Sequence, residues 1–102
     1  MPLFAIHALD GHGGAEKRSE HLAAHLAHVS AQIDSYSVAG PLKNAAGDII
    51  GSLLVVEAKD ENDARAFLAQ DPYARVNLWD SIHISAFAAV AGGWVGGATW
   101  LK

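Results

Sequence analysis

IIGSLLVVE, residues 49–57, is a near-continuous apolar run and the stretch that most constrains the fold. Such a run, bounded by turn residues, is typical of a central strand that is covered on both faces. Period-two patterns at Leu3–Leu9 and Ser81–Phe87 predict a first and a last strand. Tyr36–Ala39 predicts a short strand that ends at Gly40-Pro41. The sequence therefore predicts four strands, with residues 49–57 inside the sheet.

Two helices are predicted between these strands. From Ala15 to about Asp34, apolar residues recur at helical spacing and form one stripe, which we expect to face the core: Leu22, Leu26, Val29 and Ile33. A second helix is predicted to begin at Asp60, where Asp63 completes a capping-box pattern, and to end before Pro72.

This order of elements is that of the α+β, ferredoxin-like βαββαβ arrangement. It predicts a four-stranded antiparallel sheet with the helices on one face and with the other face bare. A second copy of the chain, sheet against sheet, is the simplest cover, so we expect a homodimer. We predict a domain over residues 1–90 and a Gly- and Trp-rich C-terminal tail over residues 91–102. The tail is expected to pack on the domain or on the partner subunit, with a lid over a pocket as the alternative.

Composition limits the classes of function. Of the 102 residues, 51% are hydrophobic and 18% are charged, which excludes intrinsic disorder. The net charge of −4, without a basic cluster, argues against nucleic acid as a partner. The absence of cysteine excludes disulfides, zinc ribbons and thiol nucleophiles. No secretory signal and no typical membrane span is found, so we expect a cytoplasmic protein without a membrane partner.

Six histidines are the unusual feature of the composition, and three of them lie on the first predicted helix. At about 100° per residue, His21, His25 and His28 fall within a sector of roughly 60° beside the leucine stripe, where a pocket wall would lie. A polar helix shoulder that happens to be rich in histidine also explains this pattern. A metal ion on His21 and His25 would need further ligands, from His28, His12 or Asp71, and no HExxH signature is present.

Asp71 and Ser52 are the other candidates for chemistry. Asp71 precedes Pro72 at a helix end, where aspartate commonly serves a turn, but a carboxylate there would also orient a histidine for proton transfer. Gly51 interrupts the apolar strand before Ser52, which often marks a bulge or a close approach of the backbone to a ligand. No G-x-S-x-G elbow, P-loop or dinucleotide fingerprint is present, which argues against those chemistries.

Several motifs resemble those of one family in their order and spacing: an arginine followed by HL, AGP, a GSL strand segment, an ARAF-type helix and DPY. The matching residues are Arg18 with His25-Leu26, Ala39-Gly40-Pro41-Leu42, Gly51-Ser52-Leu53, Ala64-Arg65-Ala66-Phe67 and Asp71-Pro72-Tyr73. The family is the YciI-like, or YCII-related, group of the dimeric α+β barrel superfamily. The resemblance covers roughly residues 1–90.

The resemblance implies a ferredoxin-like subunit that pairs into a dimeric barrel. We expect neither a cofactor nor a metal. A histidine on the first helix and the DPY aspartate are the family's proposed active-site pair, which implies that His25 and Asp71 are catalytic. His21 is the rival for the histidine role. The implied substrate-binding residues are Ser52, Arg18, Gly40, Pro41 and Tyr73.

The chain departs from the family pattern in two places. Asn77-Leu78-Trp79 stands where members often have a glycine-containing AGL or AGV segment. Ala86-Phe87 stands where a proline–aromatic pair is usual. Neither change touches His25 or Asp71, but both affect the expected shape of the pocket.

Three functions are compatible with these residues. The first is a cofactor-independent acid–base enzyme that eliminates from or isomerises a small cyclic or phenolic substrate through His25 and Asp71. The second is a non-catalytic dimer that binds a small ligand or has an accessory role. The third, less favoured, is a haem- or metal-dependent oxygenase of the same barrel superfamily.

Overall fold

A computed structural model of the chain describes residues 1–101. One antiparallel sheet in the order β2-β3-β1-β4 is formed by β1 (Leu3–Asp10), β2 (Tyr36–Lys43), β3 (Ile49–Glu57) and β4 (Trp79–Phe87). The helices are α1 (Gly14–Ala31), α2 (Glu61–Ala69) and the short α3 (Pro72–Arg75). The predicted ferredoxin-like α+β fold is confirmed, and residues 49–57 form the strand between β1 and β2.

Strand β2 is longer than the sequence predicts, because it continues through Gly40-Pro41 to Lys43. Proline lacks the N–H group that a central strand needs for its ladder, but β2 is an edge strand and pairs with β3 alone. Pro41 therefore faces Ser52 of β3 in the ladder without interrupting it. A turn at Asn44–Gly47 follows, with the Asn44 side chain accepting from the backbone N–H groups of Ala46 and Asp48.

The hydrophobic core lies between one face of the sheet and helices α2 and α3. Alternate residues of β1 and β3 point into it, and the largest of these contributions come from Phe4, Ile6, Leu54 and Val56. Tyr73, Leu78 and Trp79 complete the core at the α3–β4 junction. Helix α2 begins at Asp60, whose carboxylate accepts from the N–H of Asp63 at 2.7 Å, as the capping pattern predicts.

Helix α1 differs most from the expectation. The leucine stripe does not enter the core: Leu22 is 48% exposed, Leu26 53% and Ile33 58%. The more covered side of α1 is the polar sector, where the side chains of Arg18 and His25 are 13% and 18% exposed. The reason is that a cavity separates α1 from β2 and β3, so Leu22, Leu26 and Val29 border the cavity rather than the core, whereas Ile33 lines neither.

The turn after α3 explains one departure from the family pattern. Asn77 adopts φ 56°, the left-handed region that only glycine enters without cost. Asparagine tolerates this region better than most residues do, since its short polar side chain can form local hydrogen bonds. Asn77 therefore meets the backbone requirement of this turn without a glycine.

The second face of the sheet carries no helix of the described residues, and we call it the open face. Its side chains alternate with those of the core, for example Ala5 beside Val55 and His7 beside both Leu53 and His83. Leu53 is 37% exposed and Phe87 46%. No described helix is both long and apolar enough to cross a membrane.

The chain ends in a small hairpin, in which β5 (Ala91–Gly92) pairs with β6 (Gly97–Ala98). A 3₁₀ turn at Gly93–Val95 joins the two short strands. The tail predicted over residues 91–102 thus has regular structure up to Ala98, and Lys102 lies outside the described residues. Its predicted packing on the domain or on a partner subunit stays a prediction.

Candidate active site

His25 and Asp71 are in direct contact, although 46 residues separate them in sequence. The Nδ1 atom of His25 lies 2.9 Å from each carboxylate oxygen of Asp71. Asp71 is fully buried and also caps α3, because its Oδ1 accepts from the backbone N–H of Tyr73 at 2.9 Å. Pro72 begins that helix and needs no N–H partner of its own. The turn role and the histidine-binding role of Asp71 therefore coexist.

The imidazole of His25 is also fixed by an aromatic neighbour. Its ring stacks on that of Tyr73, with a centroid distance of 4.0 Å and an interplanar angle of 13°. Tyr73 is itself only 1% exposed, so the stacking partner is anchored in the core. With Nδ1 directed at Asp71, Nε2 is the ring nitrogen that remains available to a ligand.

Arg18 lies on the same helix, two turns before His25, and forms a network at the start of α1. Its Nε and Nη2 atoms donate to the two carboxylate oxygens of Asp10 at 2.7 and 2.9 Å, a bidentate ion pair. Nη2 also lies 2.9 Å from the Gly51 carbonyl oxygen and 2.9 Å from Ser52 Oγ. The guanidinium thus connects α1 to the ends of β1 and β3.

Crowding between strands β1 and β3 explains why a glycine stands at position 51. A Cβ atom at Gly51 would lie 2.3 Å from the carbonyl oxygen of Ala8, closer than real contacts allow. The close backbone approach that the glycine predicts is therefore to β1. Ser52 follows with its side chain on the helix-covered face, where it is 7% exposed and accepts from Arg18.

A cavity of about 370 Å³ lies between α1 and strands β2 and β3. His25, Ser52, Arg18 and Tyr73 form its polar side, and Gly40 and Pro41 border it from β2. Apart from Ser19, the rest of the wall is apolar: Leu22, Leu26, Val29, Ala39, Ile49 and Leu54. All seven residues that the sequence predicts for the site therefore line this cavity or, in the case of Asp71, contact a residue that does.

The other two histidines of the helix lie elsewhere. His21 Nε2 is 3.9 Å from the Glu20 carboxylate, an exposed contact, and His21 is not among the residues that line the cavity. His28 packs near Phe67, with ring centroids 6.2 Å apart, and its buried Nε2 has no hydrogen-bond partner in the described residues. Within residues 1–101, no three His, Asp or Glu side chains are grouped in a way that would hold a metal ion.

Two tyrosines near the site, Tyr36 and Tyr73, have raised pKa values. Burial, followed by the nearby Asp71 carboxylate, raises the pKa of Tyr36 to about 12. Burial also raises the pKa of Tyr73, and Asp71 acts in the same direction while the Arg18 guanidinium opposes it. Both tyrosines therefore remain neutral hydroxyls at physiological pH.

Sequence reasoning missed Asp10 and the cavity walls on α1. Asp10 ends β1 just before a glycine-rich turn, a position that suggests turn chemistry, and only the fold brings it to Arg18 eight residues later. Leu22 and Leu26 have the pattern of core residues, since periodicity does not distinguish a core from a cavity.

A comparison with protein-family profiles matches residues 2–88 to the YCII-related domain. The chain belongs to the YCII-related family. The match ends just before the C-terminal hairpin, so the family assignment covers the sheet, the helices and the candidate site. A search of curated protein sequences finds no match.

Among solved structures, the chain is similar to the 5-chloro-2-hydroxyhydroquinone dehydrochlorinase TftG from Burkholderia phenoliruptrix AC1100, determined as a complex with 2,5-dihydroxybenzoquinone. The two are 27% identical, with a TM-score of 0.78, over 89% of this chain and 96% of TftG. At3g17210 from Arabidopsis thaliana is far more distant, at 12% identity and a TM-score of 0.46 over 90% of this chain and 98% of that one. This YCII-related protein is thus structurally similar to a family member with known chemistry.

Proposed function

We propose that this protein is a cofactor-independent acid–base enzyme that eliminates from or isomerises a small cyclic or phenolic substrate. The proposal rests on the 2.9 Å contact between His25 Nδ1 and Asp71 beside the cavity. A carboxylate only accepts hydrogen bonds, so Nδ1 of the neutral ring carries the proton and Nε2 offers a lone pair. His25 is then the base, and Asp71 is the residue that orients it.

The chemistry would be redox-neutral. His25 Nε2 takes a proton from the substrate, and the electron pair of the broken bond moves into the substrate's ring system. In an elimination, the leaving group departs as an anion with its own bonding pair, so that one proton and one anion are released. In an isomerisation, the proton returns to a different atom. A well-placed general base contributes about 10²–10⁴ in rate.

Ser52 is proposed to bind a substrate oxygen, and Arg18 determines how. Arg18 has only donors, so Ser52 Oγ must accept in their 2.9 Å contact. The hydroxyl hydrogen of Ser52 is then left to donate elsewhere, and Ser52 borders the cavity. We therefore assign Ser52 as a donor to a carbonyl or oxyanion of the substrate, with Tyr73, Gly40 and Pro41 as walls.

The substrate class follows from the cavity and from the similar enzyme. About 370 Å³ is at the small end of ligand pockets, and its walls are mostly apolar. TftG acts on a chlorinated hydroxyhydroquinone, a planar ring with several oxygens. A ring of this kind would satisfy the apolar walls with its faces, Ser52 with an oxygen and His25 with an acidic proton.

The decisive experiment compares wild type with His25→Asn. The asparagine amide can still donate to Asp71, so the variant keeps the structural contact but lacks the Nε2 base. With 5-chloro-2-hydroxyhydroquinone, we expect wild type to release chloride and the variant to be about 10²–10⁴-fold slower, with cooperative thermal unfolding that is lowered only by the loss of the ring stack on Tyr73. Equal rates in the two proteins would contradict a catalytic role for His25.

A non-catalytic binder is the second candidate, since the apolar cavity would serve it equally well. Spectroscopic titration of wild type and His25→Asn with 2,5-dihydroxybenzoquinone, together with turnover assays, distinguishes a binder from an enzyme. Binding by both proteins, with no turnover by wild type of any hydroxyquinol, simple phenol or lactone in a substrate panel, would favour the binder.

We further propose that the protein is a homodimer in which two open faces meet. The proposal is supported by apolar residues on that face, including Leu53 and Phe87, which are 37% and 46% exposed. Leaving such a face in water is unfavourable for a chain of 10.7 kDa, which has little core in reserve. Sedimentation as a 10.7 kDa species at micromolar concentration would contradict it.

A further inference from the structure

The C-terminal hairpin, residues 90–99, lies beyond the family match, which ends at residue 88. It is ordered by its own backbone bonds, including the Thr99 N–H to the Val90 carbonyl at 2.8 Å. Yet its turn presents Trp94 with 87% of its surface exposed, and Trp100 follows at 66%. A two-stranded hairpin is marginally stable alone in water, so this feature calls for a surface to pack against.

A groove of about 710 Å³ lies between the hairpin and the open face. The sheet side of the groove is formed by Leu3, Ala5, Val38, Leu53, Val55 and Phe87, and the hairpin side includes Gly93, Trp94 and Val95. Every residue that lines the groove is uncharged. In the single chain Trp94 borders the groove without filling it, as its exposure shows.

The exposed indoles are large enough to matter for association. At 87% and 66% exposure, Trp94 and Trp100 together offer roughly 300 Å² of apolar surface. A standard stable interface buries about 800 Å² on each partner, and the Trp94 indole alone would supply roughly a quarter of it. The open face would supply the remainder.

The occupant that fits best is a second copy of the chain. The indole and the groove lie on the same side of one molecule, so a two-fold axis can place each hairpin over the other subunit's groove. From Phe87 to Leu101 there is no charged residue, which suits a self-associating apolar interface and offers nothing to a charged partner.

We propose that the hairpin is a dimer clasp, in which Trp94 of each subunit fills the groove of the other. The proposal rests on the sheet-to-sheet dimer proposed above, and it adds an arm that the family match does not include. The clasp lies on the open face, whereas the His25 cavity lies on the helix-covered face and has no hairpin residue among those that line it in residues 1–101. Trp94 therefore acts in assembly and not as a lid over its own subunit's cavity.

Engineered cysteines test the clasp cleanly, because the chain has none of its own. The double variant Gly93→Cys/Val38→Cys places one thiol on the hairpin and one on the groove floor. Gly93 tolerates a side chain, since nothing lies within 4 Å of its Cβ position and its φ is not in the left-handed region. After mild oxidation, a clasped dimer gives a covalent dimer on a non-reducing gel, whereas the two single variants remain monomeric on it.

A second measurement is the dimer dissociation constant of Trp94→Ala by sedimentation. For an indole that fills a pocket we expect a rise of roughly 30-fold or more, while Glu20→Ala on the outer side of α1 changes nothing. An intramolecular disulfide in the double variant, or a dimer constant that Trp94→Ala leaves unchanged, overturns the clasp while the sheet-to-sheet dimer stands. A wild-type protein that is monomeric at all concentrations overturns both.

Discussion

His25 and Tyr73 stack almost parallel, with ring centroids 4.0 Å apart. Two restraints thus act on one imidazole: Asp71 fixes the direction of Nδ1, and Tyr73 fixes the plane of the ring. In the proposed mechanism, a base that is held in both respects loses little entropy when it meets its substrate, which is the benefit of preorganisation. The stacking partner is a core residue, so the site's geometry is coupled to the packing of α3.

Two substitutions at Tyr73 should separate the contribution of its hydroxyl group from that of its stacking ring. Tyr73→Phe keeps the stack and loses only a hydroxyl that lies 3.5 Å from the Arg18 carbonyl oxygen, a weak contact, so stability should change by less than about 1 kcal/mol. Tyr73→Leu removes the stack and leaves core volume unfilled, which should cost about 2–4 kcal/mol in unfolding free energy and most of the turnover. Denaturant unfolding and steady-state kinetics measure both. Equal turnover in the two variants would show that the stack does not orient the base.

Asp71→Asn tests the carboxylate without removing the helix cap. Asparagine still accepts from the Tyr73 N–H, so the unfolding free energy should fall by no more than about 1 kcal/mol. Its amide donates towards Nδ1 and favours the tautomer with the proton on Nε2, so turnover should fall about 10²–10⁴-fold. Nitrogen chemical shifts of His25 report the tautomer directly. A fully active Asn variant would restrict Asp71 to its turn role.

Gly51→Ala should destabilise the sheet although it adds only one methyl group. The new Cβ would lie 2.3 Å from the Ala8 carbonyl oxygen, and that backbone atom moves only if β1 and β3 separate. We expect a loss of about 2–3 kcal/mol in the free energy of unfolding. Gly40→Ala is the matched control, because nothing lies within 4 Å of its Cβ position, and it should be neutral or slightly stabilising. Equal stabilities of the two variants would show that β1 and β3 can move apart at little cost in free energy.

Alkaline pH should destabilise the fold through Tyr36. Its pKa is about 12 in the folded protein and near 10 when unfolded, so the unfolded state releases the proton first. The contribution of Tyr36 to stability is therefore complete below pH 10 and is lost as the pH rises towards 12. Unfolding free energies measured from pH 9 to 12 should fall by roughly 1–2 kcal/mol more in wild type than in Tyr36→Phe, allowing for partial exposure. If Tyr36 of the native protein were largely phenolate at pH 10.5, as judged by absorbance against Tyr36→Phe, the raised pKa would be contradicted.

Local patterns predicted the strands, the Asp60 cap and the motif positions, because each depends on residues close in sequence. The stop expected at Gly40-Pro41 was wrong, because whether a proline ends a strand depends on its being central or at an edge, which is a property of the sheet. The leucine stripe was misplaced for a similar reason: helical periodicity identifies an apolar side but not whether the neighbouring space is filled. The Arg18–Asp10 ion pair likewise required the turn geometry of residues 11–13.

Leu22 and Leu26 of α1 line the cavity but are half exposed. The residues that would select a ligand are therefore not the ones that keep the protein folded. Truncating a core leucine commonly costs 2–5 kcal/mol, but Leu22 and Leu26 already leave about half of their surface in solvent and contribute correspondingly less. Mutations at these two positions can therefore accumulate without crossing the stability threshold that eliminates most changes in small proteins. Asp71, which is proposed to orient the base, is by contrast fully buried. Such a division favours divergence of ligand preference within a lineage while the proposed His25–Asp71 pair remains constant.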